Sequence, residues 1–177
     1  MCVNTLINQN KIEFEYFFYK LLRKNLKKTI LTKAMLYAAT NGGKRIRPFL
    51  VMIGGNITKC KKSQYLRLAS AIECIHSYTL IHDDLPSMDN DDYRRGKLST
   101  HKKFDEATAI LAGDALHDYA FEIIADPLTV KNPEKRISLI DYLSKNIGHK
   151  GLAGGQSQDI LYENKKMSKK KIIKMYE

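Results

Sequence analysis

The stretch SQYLRLASAIECIHSYTLIHDDLP, Ser63 to Pro86, decides the fold. Ser63 can cap a helix, and Leu66, Ala69, Ile72 and Ile75 follow at three-residue steps, the spacing of one helix face and not of a strand. Pro86 lacks an amide hydrogen and clashes with the preceding turn, so this helix is expected to end near Leu85. Upstream, Pro48 suits the first turn of a helix through Val51 and Ile53, and a shorter helix, about Thr32 to Thr40, stops at Gly42-Gly43. Residues 5–28 carry Leu6, Ile7, Phe14, Phe17, Phe18, Leu21 and Leu22, much of them on one stripe. Downstream, Asp105 can cap a helix with Ala112, Ala115, Leu116, Tyr119, Ala120 and Ile123 as its apolar face. Asn132 and Pro133 start another, carrying Ile137, Ile140, Leu143 and Ile147. No strand pair, repeat or linker is legible, and an all-α chain is expected.

The 177 residues suffice for one domain with a core, and 44% hydrophobic residues are ordinary for a globular protein. Lys11, Glu13 and Glu15 interrupt the first apolar stretch before it could serve as an export signal. The run Phe49 to Ile57 is too short to span a bilayer. A cytoplasmic protein without a membrane span is expected. Cys2, Cys60 and Cys74 form no CxxC pair and no zinc pattern, which suits a reducing compartment and plain thiols. The net charge of +11, from 30 basic and 19 acidic residues, suggests a polyanion partner when read alone. The lysines are scattered, however, the run Lys165, Lys166, Lys169, Lys170, Lys171 and Lys174 reads as a solvated face, and no nucleic-acid-binding signature accompanies them.

The densest chemical signal is IHDDLPSMDNDDYRRG, Ile81 to Gly96. Asp83 and Asp84 close the long helix and Asp89 follows after four residues. Carboxylates gathered at the negative end of a helix repel one another, and a hard divalent cation removes the conflict. Arg94 and Arg95 follow at once, and a guanidinium fork matches phosphate bidentately. This is how a protein would hold a metal–diphosphate complex, and the blander alternative is a solvated acidic loop with its own salt-bridge partners. The EF-hand order of acids with a central glycine is missing. GGKRIRP, Gly42 to Pro48, sets Lys44, Arg45 and Arg47 beside the free amides of an incoming helix, which favours an anion; the Walker A pattern is absent. A basic surface turn is the competing explanation. His76, seven residues before Asp83, lies two turns earlier on the same face and could donate to a phosphate oxygen. In GGQSQD, Gly154 to Asp159, Gln156 and Asp159 share one side of a helix turn, or the glycines simply serve a close helix crossing.

Taken in this order, GGKRIRP, ECIHSYTLIHDDLPSMDNDDYRRG and AILAGDAL (Ala109 to Leu116) resemble the trans-prenyltransferase (polyprenyl synthetase) family, and within it the bacterial farnesyl diphosphate synthases. The similarity runs from about Leu31 to Asp159. It implies an isoprenoid-synthase-type helical bundle around a central cavity, a homodimer when full length, and Mg²⁺-dependent condensation of isopentenyl diphosphate with allylic diphosphates. It implies that Asp83 and Asp89 bind Mg²⁺ with Asp84 supporting the cluster, the three acting in catalysis through the bound metal. Lys44, Arg47 and His76 match positions that hold isopentenyl diphosphate; Arg94 matches a contact to the allylic diphosphate and Arg95 one to isopentenyl diphosphate. Tyr78 and Thr79 match the floor of the chain-elongation cavity, where a ring at Tyr78 would stop a long product. Two extra residues between Asp84 and Asp89 also point to a farnesyl product, with geranylgeranyl diphosphate as the alternative.

The pattern breaks at Glu177. A second aspartate-rich motif is expected beyond it, so residues 1–177 read as one all-helical domain truncated before that motif, with little or no synthase activity by itself. A decayed remnant, a non-catalytic subunit and a basic polyanion-binding helical protein are the competing expectations.

Overall fold

The computed structural model describes residues 3–163 and 165–176. The chain divides into two compact units, Met1–Lys131 and Asn132–Glu177. In the first, α1 (Val3–Asn25), α2 (Ile30–Ala39), α3 (Ile46–Ile57) and α4 (Lys62–Asp83) are followed by β1 (Tyr93–Arg94) and β2 (Lys97–Leu98). A single helical turn, α5 (Thr100–Lys103), and then α6 (Glu106–Ala125) complete this unit. The second unit carries α7 (Pro133–Ile147), α8 (Leu152–Tyr162) and α9 (Lys169–Tyr176). The expected all-α architecture holds. One correction is needed, because a short antiparallel ladder pairs Tyr93 with Leu98 and Arg94 with Lys97. Its turn is Arg95-Gly96, both in the left-handed region (φ 55° and 77°), the geometry that tight hairpins require.

The long helix α4 is the centre of the first unit, packing against α6 and α3 and also against α1 and α2. It buries residues all round its circumference, among them Leu66, Ala69, Ser70, Ala71, Cys74, Ile75, Ser77 and Ile81. Small side chains let neighbours approach, and the hydroxyls of Ser70 and Ser77 are satisfied by donating to the carbonyls of Leu66 and Glu73, both at 2.8 Å. Gly55 of α3 lies so close to α4 that a Cβ there would stand 2.6 Å from Tyr65 Cδ1. From α1, Phe14, Phe18 and Leu22 are fully buried, with Phe14 and Phe18 stacked at 5.2 Å.

Helix ends follow local chemistry where a side chain can reach. Asp105 accepts from the Thr108 amide at 2.7 Å to start α6, and Asn132 accepts from the Lys135 amide at 3.0 Å to start α7 with Pro133 in its first turn. Thr29 and Thr32 form a reciprocal box that starts α2 at Ile30. The expected cap at Ser63 is corrected: α4 begins at Lys62 after an extended Lys61 that makes no side-chain cap. It ends at Asp83 with Asp84 as its C-terminal cap, near Leu85 as expected. Of the thiols, Cys60 is exposed and Cys74 buried, both free, while Cys2 lies outside the described residues. Among the described residues, no helix is long and apolar enough to cross a membrane.

Candidate functional site

The end of α4 folds back on itself. The Asp89 amide donates to the Asp83 carbonyl at 2.9 Å, and the amides of Met88 and Asn90 donate to the Leu85 carbonyl at 2.9 and 3.1 Å. This knot brings Asp89 onto the helix terminus beside Asp83. Asp83 is half-buried and Asp89 exposed. Burial pushes the Asp83 carboxyl above the usual carboxylate range, the Asp89 charge pushes it further, and Arg94 pulls it back. The net upward shift shows that burial and the neighbouring carboxylates outweigh the nearby positive charge at Asp83.

Asp84 goes elsewhere. Its side chain is only 4% exposed and is gripped by Arg94, whose Nε donates to Oδ1 at 2.8 Å and whose Nη2 joins the same oxygen. Successive helical residues point about 100° apart, so Asp83 and Asp84 leave the end of α4 in different directions. In this structure Asp84 is an internal partner of Arg94. Arg94 Nη2 also reaches Asp91 Oδ2 at 3.4 Å.

A second cluster forms around the turn after α2. Gly42 and Gly43 adopt φ of 69° and 115°, and Arg45, at 52°, enters α3 from the left-handed region. This backbone turns Arg45 inward. Its Nε donates to Glu15 Oε1 at 3.1 Å and its Nη2 to the Ala39 carbonyl at 3.0 Å, while Nη1 pairs with buried Glu73. Lys44 and Arg47 stay at the surface and, with His76, Arg95 and Lys11, line a cavity of about 920 Å³. Arg95 is held over the turn by the Gly42 carbonyl, and its Nη2 stands 3.4 Å from His76 Nε2. A Cβ at Gly43 would lie 2.7 Å from the Arg95 guanidinium carbon, so glycine is required there for the arginine to approach. Burial holds His76 down at about 4, helped by Arg47, Arg95, Arg45 and Arg94, so the ring is neutral at pH 7.

The structure thus gathers Lys44, Arg47, His76 and Arg95 at one cavity and Asp83 with Asp89 at the end of α4, and it joins Asp84 to Arg94. Seven residues of α4 separate His76 from Asp83, about 10 Å along the helix axis. Gln156 and Asp159 lie on α8 of the second unit, Asp159 exposed. Sequence reasoning missed three participants: Lys11 and Glu15 of α1, and Glu73. Glu73 was the most findable, a carboxylate about one turn before His76 and flanked by the apolar Ala71, Ile72, Cys74 and Ile75. Tyr78 stands edge-on to the rings of His82, at 5.7 Å, and His117, at 5.1 Å.

The Polyprenyl synthetase family profile matches residues 28–177. The chain belongs to this family. Relatives in the polyprenyl synthetase family agree in sequence and in shape. The farnesyl diphosphate synthase of Haemophilus influenzae is 49% identical over 138 residues, 78% of this chain and 46% of that one. The farnesyl diphosphate synthase of Geobacillus stearothermophilus is 42% identical over 169 residues, 95% of this chain and 57% of the relative. Among solved structures, a geranyltransferase from Legionella pneumophila superposes with a TM-score of 0.90 at 36% identity, over 98% of this chain and 62% of that one. An FPP/GFPP synthase from Zymomonas mobilis gives 0.89 at 40% identity, over 97% and 63%. The chain spans about half the length of the curated relatives it matches.

The donor chemistry at the acidic end suits a hard cation. Asp83 and Asp89 offer carboxylate oxygens, and among the described residues no third acidic, histidine or cysteine side chain completes a closed ligand set. Mg²⁺ commonly keeps several waters and phosphate oxygens and takes only one or two carboxylates, so the residues present fit it.

Proposed function

We propose that this chain carries the diphosphate-binding wall of a Mg²⁺-dependent prenyltransferase that joins isopentenyl diphosphate to an allylic diphosphate, with farnesyl diphosphate as the product. The observation that carries this reading is the separation on α4 of two chemically opposite sites, a carboxylate pair at its end and a cation-lined cavity two turns earlier. Two diphosphate substrates that must meet but not exchange places need such a division.

Asp83 and Asp89 would hold the Mg²⁺, which when bound supplies Lewis-acid stabilisation of the charge on a departing diphosphate. Arg94, anchored by Asp84, would present its remaining donors to the same allylic diphosphate. Lys44, Arg47, His76 and Arg95 would take isopentenyl diphosphate, and neutral His76 would donate one hydrogen bond without adding charge. Binding energy spent on both diphosphates holds the reacting carbons together, which converts an encounter into an effectively unimolecular step. Tyr78, braced by His82 and His117, would limit product length by its volume. The protein is proposed to work as a homodimer in the cytoplasm.

Calorimetric titration of the 177-residue chain tests the two-site reading. Geranyl diphosphate is expected to bind only with Mg²⁺ present and to lose that binding in Asp83→Ala. Isopentenyl diphosphate is expected to bind without metal and to lose binding in Arg47→Ala. One shared site, with each variant weakening both ligands equally, would refute the proposal.

A further inference from the structure

We propose that Lys11 of α1 is a phosphate-gripping residue of the cation-lined cavity, so that the helix preceding the family-matched region forms one wall of the isopentenyl diphosphate site. This rests on the reading of the cavity as that site. The family match begins at residue 28, after α1 has ended at Asn25, yet Ile7, Asn8 and Lys11 line the same cavity as Lys44 and Arg47. Positions 7, 8 and 11 share one face of a helix, so α1 turns a continuous strip toward the cavity.

Charge accounting favours a phosphate there. Arg45 also lines the cavity, but Glu15 and Glu73 both pair with it and neutralise it internally. The cations left facing the space are Lys11, Lys44, Arg47 and Arg95. On the same helix Glu13 pairs with Lys62, whereas Lys11 has no carboxylate partner among the described residues. An unpaired ammonium set against three other cations raises the energy of the empty cavity and lowers it when a polyanion enters.

The position of Lys11 is also fixed from below. Phe14, Phe18 and Leu22 are fully buried, and Glu15, one turn after Lys11, is tied to Arg45 at 3.1 Å. Arg45 enters the same turn that presents Lys44 and Arg47, so α1 and the GGKRIRP turn are locked in register by one guanidinium. Glu15 and Arg45 are therefore positioning residues, and Lys11 is the group that would touch the ligand.

The test is metal-free calorimetric titration of the full chain with isopentenyl diphosphate and, separately, inorganic pyrophosphate. Lys11→Met is expected to weaken both about tenfold, the loss of one charge-assisted hydrogen bond of about 1.4 kcal/mol. Lys11→Arg should stay within about threefold of wild type, and the deficit of Lys11→Met should shrink from about 0.05 to about 0.5 M salt. Thermal melts of the ligand-free variants should be no lower than wild type, with Lys11→Met equal to it or higher because one repelling charge is gone. Wild-type affinity in Lys11→Met, alongside lost binding in Arg47→Ala, would overturn the role of Lys11 and leave the cavity reading intact. Equal losses in Lys11→Met and Lys11→Arg would also overturn it, by showing that any change at this position perturbs packing. Unaltered affinity in Arg47→Ala would overturn the cavity reading itself, and this inference with it.

Discussion

Replacing Glu73 by alanine removes one half of a buried ion pair whose side chains are 2% and 3% exposed. Arg45 would then remain in the interior with the Ala39 carbonyl at 3.0 Å and with Glu15, which is 36% exposed, at 3.1 Å. Stranding one partner of a buried pair costs about 3–5 kcal/mol, and the surviving contacts put this case at the lower end, about 3 kcal/mol. For a chain of this length, each kcal/mol moves the melting temperature by about 2–4 °C, so Glu73→Ala should melt about 6–12 °C below wild type in circular dichroism at pH 7. The double variant Arg45→Met, Glu73→Met removes both charges at similar volume. It should recover to within about 1 kcal/mol of wild type, because the cost lies in the unpaired charge and not in the missing bond. A Glu73→Ala melt within about 2 °C of wild type would refute the reasoning. So would a double variant less stable than Glu73→Ala.

Two further outcomes follow from the cavity. His76 is held down at about 4 by burial and by the surrounding arginines, below the 6.5 of an ordinary histidine, so the unfolded chain binds the extra proton first as pH falls. Stability from this group is complete above about pH 6.5 and is lost as pH falls toward 4. The full shift would be worth about 3 kcal/mol, and solvent screening of the half-buried ring reduces it to about 1 kcal/mol. Urea unfolding at pH 7 and pH 4.5 should show His76→Asn losing about 1 kcal/mol less than wild type, and equal losses would contradict this assignment. Gly43→Ala forces a side chain onto a backbone at φ 115° and against the Arg95 guanidinium, costing about 1–3 kcal/mol. It should also weaken isopentenyl diphosphate binding, and unaltered calorimetric affinity would show that Arg95 does not need that approach.

Local chemistry was the legible part of this chain. Asp105 and Asn132 cap the helices they were expected to cap, because a short oxygen-bearing side chain reaches its own first turn whatever the rest of the protein does. Ser63 failed as a cap because the helix starts two residues earlier than that cap would place it, with the extended Lys61 in the cap position. The Tyr93–Leu98 ladder escaped notice because two-residue strands carry no alternation; only the Arg95-Gly96 turn could have betrayed it. At the site, the metal-suited acids and the basic turn were contiguous in sequence and could be read. That Asp84 turns away from Asp83 follows from helix geometry, but its pairing with Arg94 depends on the hairpin that brings the arginine back. Glu73, Glu15 and Lys11 meet the GGKRIRP turn only through packing of α1 and α4, about which periodicity is silent.

Asp83 and Asp89 jointly taking one divalent cation with a diphosphate is the step on which the functional reading stands. Titration of Mn²⁺, followed by its electron paramagnetic resonance signal with and without geranyl diphosphate, reports that step without requiring turnover. Wild type should retain Mn²⁺ only when geranyl diphosphate is present. Asp83→Asn and Asp89→Asn should each lose more than about tenfold in Mn²⁺ affinity, and Asp84→Asn less than about fivefold. Wild-type Mn²⁺ retention in Asp83→Asn, or a loss in Asp84→Asn as large as that in Asp83→Asn, would contradict it.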